Sequence, residues 1–242
     1  MQTNYLIISS QNKNKQALAL RIYLVLSALF ITSLVASNLI FKKFFYWDFF
    51  GLYTFEISVG ILPYPITFLI TDTISEIYGK KKANQVVTTG IFASFFSLGI
   101  ILLADAVPAI QKSPIGDELF HDVFGATGIA VGASMTAYLL AQYVDISLYH
   151  FWKKLTKGKY LWIRNNFSTF LSQFIDTFSV IALLSIFGEL PWESFTGLLL
   201  SGFLFKVLIA ALDTPLLYLI VYWMRKVFNL KNTEDLKLTD KD

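Results

Sequence analysis

Long apolar runs separated by short polar segments recur along the whole chain. The first run extends from Arg21 to about Phe41, longer than the apolar core of a secretory signal and long enough to cross a bilayer as a helix. Six spans are predicted in all, over about residues 21–41, 57–78, 84–103, 124–152, 165–187 and 195–224. The pattern predicts an all-α membrane protein: one six-helix transmembrane domain over residues 20–226, between a polar tail (1–19) and a charged tail (227–242).

Composition supports this class. The chain is 55% hydrophobic and only 15% charged, whereas soluble domains carry about 25% charged residues. The absence of cysteine excludes disulfides, thiol catalysis and thiolate metal sites. No basic patch is interleaved with aromatics as a nucleic-acid-binding surface would require, so we expect no nucleic-acid partner.

The distribution of charge between the spans predicts the orientation. The N-terminal tail, residues 80–82, residues 153–164 and the C-terminal end are basic, whereas loops 104–123 and 188–194 are acidic. Because basic loops stay in the cytoplasm, both termini are predicted to be cytoplasmic; Lys42 and Lys43 are the exception. The acidic loop also contains His121, and we interpret it as a solvated loop rather than a metal site.

Two carboxylates interrupt the second span, in the segment PYPITFLITDTISEIYGKKK (residues 63–82). Asp72 and Glu76 lie one helical turn apart within membrane-grade sequence. A charged side chain at the centre of a membrane helix costs about 2.5–3.5 kcal/mol on insertion scales. Charged residues at membrane depth indicate a functional site by default, and we interpret the rest of the chain in relation to that site.

The fourth span places its polar residues on one face. At 100° per residue, an arc of about 80° contains Ser134, Tyr138, Gln142, Asp145 and Tyr149. A polar seam between helices and a polar cavity both explain the hydroxyls and Gln142. For Asp145 the cavity is favoured, because a charge needs water or a partner.

Polar residues also mark the first, fifth and sixth spans. Asn38 is an unusual residue for lipid-facing sequence. In the fifth span an arc of about 120° contains Arg164, Ser168, Ser172, Asp176 and Ser179, widened by Thr169 and Gln173.

Lys206 and Asp213 lie two turns apart in the sixth span. Lys206 is expected to pair with an aspartate of another helix, or with Asp213 through water; an internal ion pair without a transport role is the alternative. The dipeptide Asp-Thr recurs at residues 72, 176 and 213, which raises the hypothesis of two inverted three-helix halves.

Carboxylates from four different spans, with hydroxyls, amides and aromatics around them, suit a flat polar molecule with several N–H donors. Carboxylates accept hydrogen bonds in pairs, and aromatic rings stack on a planar ligand. An aqueous pore would need rings of charge, and an anionic substrate would need more cations.

Three segments resemble the bacterial queuosine-precursor transporter family: SNL (37–39), PITFLITDTISEIYGKKKANQ (65–85) and RNNFSTFLSQFIDT (164–177). The resemblance covers nearly all of the chain except its tails, and the T-D-x-x-S-E-x-Y-G-K block is its most specific part. It implies a six-helix inner-membrane protein that imports 7-deazaguanine bases, such as preQ0, preQ1 or queuine, for tRNA modification.

The family motifs place a set of residues in or near the site: Asn38, Asp72, Glu76, Arg164, Ser168, Gln173 and Asp176. Within this set we expect Asp72 or Asp176 to bind the edge of the base, and Glu76 to hold the helix end or to carry a proton. Arg164 is expected to neutralise a carboxylate near the cytoplasmic mouth. Tyr138, Gln142, Asp145, Lys206 and Asp213 complete the predicted substrate-binding set.

Two other functions remain open. The chain is also of the right size and span count for a substrate-binding membrane subunit that needs an energising ATPase, with a fold like that of vitamin-binding membrane subunits; a transporter of another purine-like or small polar molecule is the other alternative. An intramembrane enzyme is disfavoured, because cysteine, HExxH and Gly-x-Gly-Asp motifs are missing. No cofactor is predicted; the expected partners are a purine-like base, the lipid bilayer and either a second copy or an energising protein.

Overall fold

Seven α-helices and one β-hairpin make up the computed structural model. It describes residues 2–41, 43–125, 128–157, 159–188, 190–231 and 234–238, and for residues 2–13 and 128–134 it describes only the backbone. In chain order the elements are α1 Gln2–Ile40, β1 Phe44–Phe49, β2 Tyr53–Ser58, α2 Tyr64–Ile77, α3 Lys80–Asp105, α4 Asp117–Phe124, α5 Gly128–Leu155, α6 Leu161–Ile186 and α7 Phe195–Phe228. Short 3-10 turns at Val59–Ile61 and Trp192–Ser194 precede α2 and α7.

Four helical segments are long and apolar enough to cross a membrane: Asn14–Ile40, Lys80–Asp105, Leu161–Ile186 and Trp192–Phe228. They match the first, third, fifth and sixth predicted spans, and α5 covers most of the fourth. The protein is therefore a helical multi-pass membrane protein. Helix α1 begins at Gln2, so most of the segment assigned to the N-terminal tail is helical. Six crossings and the orientation of the termini stay predictions.

The second predicted span is wrong as a continuous helix. Helix α2 has only 14 residues, a length of about 21 Å, whereas the hydrocarbon core of a bilayer is about 30 Å thick. Residues 57–63 instead form the end of β2 and a 3-10 turn. Pro63 and Pro65 fix the start of α2, because proline suits the first turn of a helix and is disfavoured in its interior.

Residues 44–58 form an antiparallel hairpin, with Trp47 opposite Phe55. The Trp47 and Phe55 rings stack at a centroid distance of 5.6 Å, and the Phe205 ring of α7 meets the Trp47 ring edge-on at 5.5 Å. Phe55 and Ile57, two residues apart, are both buried because alternate residues of a strand share one face. The hairpin is thereby anchored on α7.

Helix α2 lies at the centre of the bundle. It packs against α1, α3, α5 and α7, and every residue from Ile70 to Ile77 is buried. The helix ends at Ile77, and Gly79, with φ +85°, lets the chain turn directly into α3. A short helix this deep inside the bundle holds its two carboxylates away from lipid and within reach of the surrounding helices.

The acidic loop between α3 and α5 contains the eight-residue helix α4. His121 of α4 contacts Asp105 at the end of α3, with 2.7 Å between Nδ1 and Oδ2. The His121 side chain is largely exposed, in keeping with the solvated loop expected from the sequence.

Candidate functional site

Glu76 is the centre of a buried charge cluster at the end of α2, which we call the inner cluster. Arg164 donates two hydrogen bonds to the carboxylate, from Nη2 to Oε1 at 2.7 Å and from Nε to Oε2 at 3.1 Å. Arg225 Nη2 donates to Oε1 at 2.6 Å, and the Tyr149 hydroxyl donates to Oε2 at 3.0 Å. Lys153 Nζ lies 3.7 Å from Oε2. A carboxylate accepts about four hydrogen bonds, so this one is saturated.

The C-terminal segment 234–238 closes over the same end of α2. The Leu236 backbone N–H donates to the Ile77 carbonyl oxygen at 2.6 Å. Asp235 Oδ1 accepts a hydrogen bond from Lys153 Nζ at 3.0 Å, and the same Nζ donates to the Glu76 carbonyl oxygen at 3.2 Å. Helix α2 is thus tied to α5, α6 and α7 by charge-assisted bonds and to segment 234–238 by a backbone hydrogen bond.

A second ion pair lies deeper in the bundle. Lys206 Nζ donates to Asp176 Oδ2 at 2.6 Å, and the Tyr64 hydroxyl donates to the same oxygen. Lys206 Nζ also lies 4.4 Å from the centre of the Tyr64 ring, which adds a cation–π contact. The partner expected for Lys206 on another helix is therefore Asp176. Both side chains are largely buried, Asp176 at 3% exposure and Lys206 at 12%.

A polar seam joins α5 to α6 and α2. Ser172 Oγ donates to Asp145 Oδ1 at 2.8 Å, and Gln142 Nε2 donates to the Tyr138 hydroxyl at 2.8 Å. The carboxyl groups of Asp72 on α2 and Asp145 on α5 lie close enough to interact. Two carboxyl groups bond to each other only when a proton lies between them, because a carboxylate has acceptors alone.

Two cavities meet at Tyr64 and Lys206. The hairpin cavity, of about 250 Å³, lies between the hairpin and helices α1, α5, α6 and α7, and its polar lining includes Asn38, Tyr138 and Asp176. The central cavity is narrower, about 30 Å³. Its polar lining consists of Asp72, Asn165, Thr169, Gln173 and Asp213. Tyr64 and Lys206 line both cavities.

Several buried side-chain oxygens in this region have no hydrogen-bond partner among the described residues. Those from carboxylates and amides are Asp72 Oδ1, Gln142 Oε1, Asp145 Oδ2, Gln173 Oε1 and Asp176 Oδ1. All five are acceptors, and a buried acceptor without a donor costs free energy. The same region also contains two hydroxyls without a partner, those of Thr169 and Thr177. The unpartnered acceptors outnumber these donors, so a ligand, a proton or water would have to supply further N–H or O–H groups.

The structure brings most of the predicted site residues close together, but they line different cavities or belong to the inner cluster. Asn38, Tyr138, Asp176 and Lys206 line the hairpin cavity, and Asp72, Gln173 and Asp213 line the central one. Three predicted site residues are buried but line neither cavity: Gln142, Asp145 and Ser168. Glu76 and Arg164 form the inner cluster instead. The side chain of Ser134, assigned to the same face of the fourth span, lies outside the described residues.

Sequence reasoning missed three residues of these clusters. Tyr64 was not distinguished from the many interfacial aromatics, although its position between two prolines fixes it at the start of α2. Lys153 and Arg225 were counted only as cations of cytoplasmic loops. Their role depends on the approach of α5 and α7 to Glu76, and no spacing within the chain reveals it.

Comparisons with known proteins show the family of this chain. A family model described as "putative vitamin uptake transporter" matches residues 58–220, which include both long segments of the sequence resemblance. The "Probable queuosine precursor transporter" of Bacillus subtilis (strain 168) is 24% identical over 168 residues, which are 69% of this chain and 72% of that protein. No solved structure matches. The family resemblance predicted from the sequence is thereby confirmed.

Proposed function

Because the chain belongs to the vitamin uptake transporter family just described, we propose that it imports a queuosine precursor, a 7-deazaguanine base such as preQ0, preQ1 or queuine, across the cell inner membrane. The observation that carries this proposal is the set of buried acceptor oxygens without donors. It is independent of the relative's name, since it rests on the side chains of this chain alone.

A guanine-like base complements such a set. Its edge presents an N1–H and an exocyclic amine side by side, and a single carboxylate accepts both. Asp176 has one oxygen occupied by Lys206 and Tyr64 and one without a partner. Asp72 has an oxygen without a partner in the central cavity. These two carboxylates are the proposed contacts for the edge of the base.

The aromatic residues near them suit a planar ring. Tyr64 lines both cavities, and its ring meets the Tyr138 ring edge-on at a centroid distance of 5.5 Å. The hairpin cavity, at about 250 Å³, approaches the lower end of ordinary ligand pockets, about 300 Å³. A cavity of this size fits a single base rather than a nucleotide. The described residues that line it include no cluster of cations that could bind a phosphate.

The test is uptake of radiolabelled preQ1, queuine and guanine by cells that cannot make the base. Wild type is compared with Asp72→Asn and Asp176→Asn, which keep the shape and replace one acceptor oxygen by a donor. Losing a hydrogen bond to a charged group costs about 1.5–3 kcal/mol, so we expect uptake at low substrate concentration to fall at least about tenfold. Asp48→Asn, an exposed residue near the end of β1 whose carboxylate accepts from the turn residue Gly51, is the matched control.

The outcomes separate the alternatives. Entry of none of the labelled bases overturns the substrate assignment, and entry of guanine alone indicates a transporter of other purines. Uptake by the purified protein in proteoliposomes, without ATP or a second protein, supports a self-sufficient transporter. Binding without uptake there indicates a substrate-binding subunit that needs an energising partner.

A further inference from the structure

A basic pocket lies where α3 begins and α5 ends, away from the two cavities. Its polar lining consists of Lys80, Ser147, His150, Lys153, Lys154, Lys157 and Asp235, and its volume is about 740 Å³. We call it the tail pocket, because Asp235 belongs to the C-terminal segment. Four lysines against one carboxylate leave the lining with an excess of positive charge, which the proposed transport chemistry does not use.

The start of α3 increases this excess. The helix begins directly after Gly79, no side chain caps its first turn, and no acidic residue lies there. Lys80, Lys81 and Lys82 occupy the first turn instead. The free N–H groups at the start of a helix carry a partial positive charge. Lysine side chains at this position are therefore repelled by the helix start. Both features favour a bound anion.

The structure already holds one anion in the tail pocket. Asp235 Oδ1 accepts a hydrogen bond from Lys153 Nζ at 3.0 Å. The other oxygen, Oδ2, lies so close to the start of α3 that a Cβ atom on Gly79 would come within 2.6 Å of it. Asp235 is nevertheless half exposed, and Lys154 and Lys157 are exposed as well. A carboxylate therefore fits the pocket without neutralising it.

Apolar side chains beside the lysines place the pocket at the membrane boundary. On the same end of α5, Phe151 is 56% exposed and Leu155 is 62% exposed. Exposed apolar residues next to lysines at a helix end are typical of the level of the lipid headgroups, where lysine extends its ammonium group toward phosphate. Basic pockets between transmembrane helices on the cytoplasmic side bind anionic headgroups.

We propose that the tail pocket binds the phosphate of an anionic phospholipid headgroup, and that Asp235 competes with that phosphate for the lysines. Lys154 and Lys157 provide the positive charge that the Asp235 carboxylate does not neutralise. The lipid thereby displaces the Asp235 carboxylate from Lys153, next to the inner cluster. This inference does not depend on which substrate the protein transports.

The test is lipid binding by the purified full chain in detergent, followed by native mass spectrometry during a titration with phosphatidylglycerol. Each lysine near an anionic surface contributes about 1 kcal/mol, roughly fivefold in affinity. We therefore expect the variant Lys154→Gln/Lys157→Gln to bind phosphatidylglycerol about 25-fold more weakly. The matched control Lys159→Gln/Lys226→Gln removes two lysines from a neighbouring pocket at the same end of the protein and should bind like wild type.

Asp235 provides the sharper arm of the test. Asp235→Asn should strengthen phosphatidylglycerol binding several-fold, whereas the adjacent Glu234→Gln, whose partner is Lys231, should leave it unchanged. Equal weakening by both pairs of lysine substitutions would overturn the proposal in favour of a diffuse basic surface. Equal binding of phosphatidylcholine, displacement of the lipid by free glycerol phosphate at the same concentration, or no gain with Asp235→Asn would also overturn it.

Discussion

Replacing Glu76 by glutamine tests whether the inner cluster holds the bundle together. Glutamine keeps the shape of the side chain but removes its charge and turns one acceptor oxygen into an NH₂ donor. The Glu76 side chain is 1% exposed and that of Arg164 is 2% exposed, so most of the lost contacts are not replaced by contacts with bulk water. In Glu76→Gln the guanidinium of Arg164 and that of Arg225 lose their shared carboxylate, and the new NH₂ group faces donors.

The expected magnitude follows from the burial of these groups. Removing one partner of a buried ion pair costs about 3–5 kcal/mol, because the remaining charge is left without compensation. We take the lower value of about 3 kcal/mol, since Lys153 retains Asp235 and Arg164 retains its bond from Nη1 to the Lys159 carbonyl. For a chain of this size, 1 kcal/mol shifts the midpoint of thermal unfolding by about 2–4 °C. The midpoint should therefore fall by about 6–12 °C.

The assay is thermal unfolding of the purified protein in detergent, followed by tryptophan emission. Glu193→Gln, an exposed glutamate before α7, is the matched control and should unfold within about 1 °C of wild type. Adding Arg164→Met to Glu76→Gln should recover part of the loss, because it removes the buried positive charge that has lost its carboxylate. A Glu76→Gln midpoint equal to that of wild type would refute the assignment of Glu76 to a structural cluster.

Three further predictions concern the other clusters. Lys206→Met should lower the unfolding midpoint and Lys206→Met/Asp176→Asn should largely restore it without restoring uptake; restored uptake would show that Asp176 does not bind the substrate. Gly79→Ala should destabilise by about 1–3 kcal/mol because of its positive φ, whereas Gly99→Ala, with open space around it, should not; equal midpoints would contradict the strain argument. Asp72 and Asp145 lie close enough to interact and bond only through a proton, so an outside-acidic pH gradient should accelerate uptake into proteoliposomes; uptake that is indifferent to the gradient would exclude this coupling.

Hydropathy predicted the long lipid-facing helices because their signal is local: about 20 apolar residues in a row suffice. It failed over residues 57–63 because a buried strand and a buried helix end are both apolar there. Other signals in the sequence point to the hairpin. Aromatic and β-branched residues flank the turn at Gly51, and Phe55 and Ile57 alternate with polar neighbours, the period of a strand. The two prolines at 63 and 65 mark where the strand pattern ends and α2 begins.

The candidate site was predictable in its residue types but not in its pairings. Asp72 and Glu76 lie one turn apart in the sequence, and this spacing suggests a single site. In the structure Asp72 reaches the central cavity and lies close to Asp145, whereas Glu76 is saturated by α5, α6 and α7. Which helix approaches each carboxylate is decided by packing among distant segments. A pattern within one segment therefore identifies a costly charge but not its partner.

The two ion-pair groups differ in what a substrate can do to them. The Glu76 carboxylate accepts from two arginines and a tyrosine and has no acceptor to spare, so a neutral base cannot displace its partners without leaving charges unpaired. Asp176 is different, because Lys206 and Tyr64 both bond to Oδ2 while Oδ1 has no partner among the described residues. A donor from a ligand can therefore bind Asp176 without first breaking the Lys206 contact. We therefore assign to Glu76 the role of holding the helices together and to Asp176 the role of contacting the ligand, although both are buried carboxylates paired with cations.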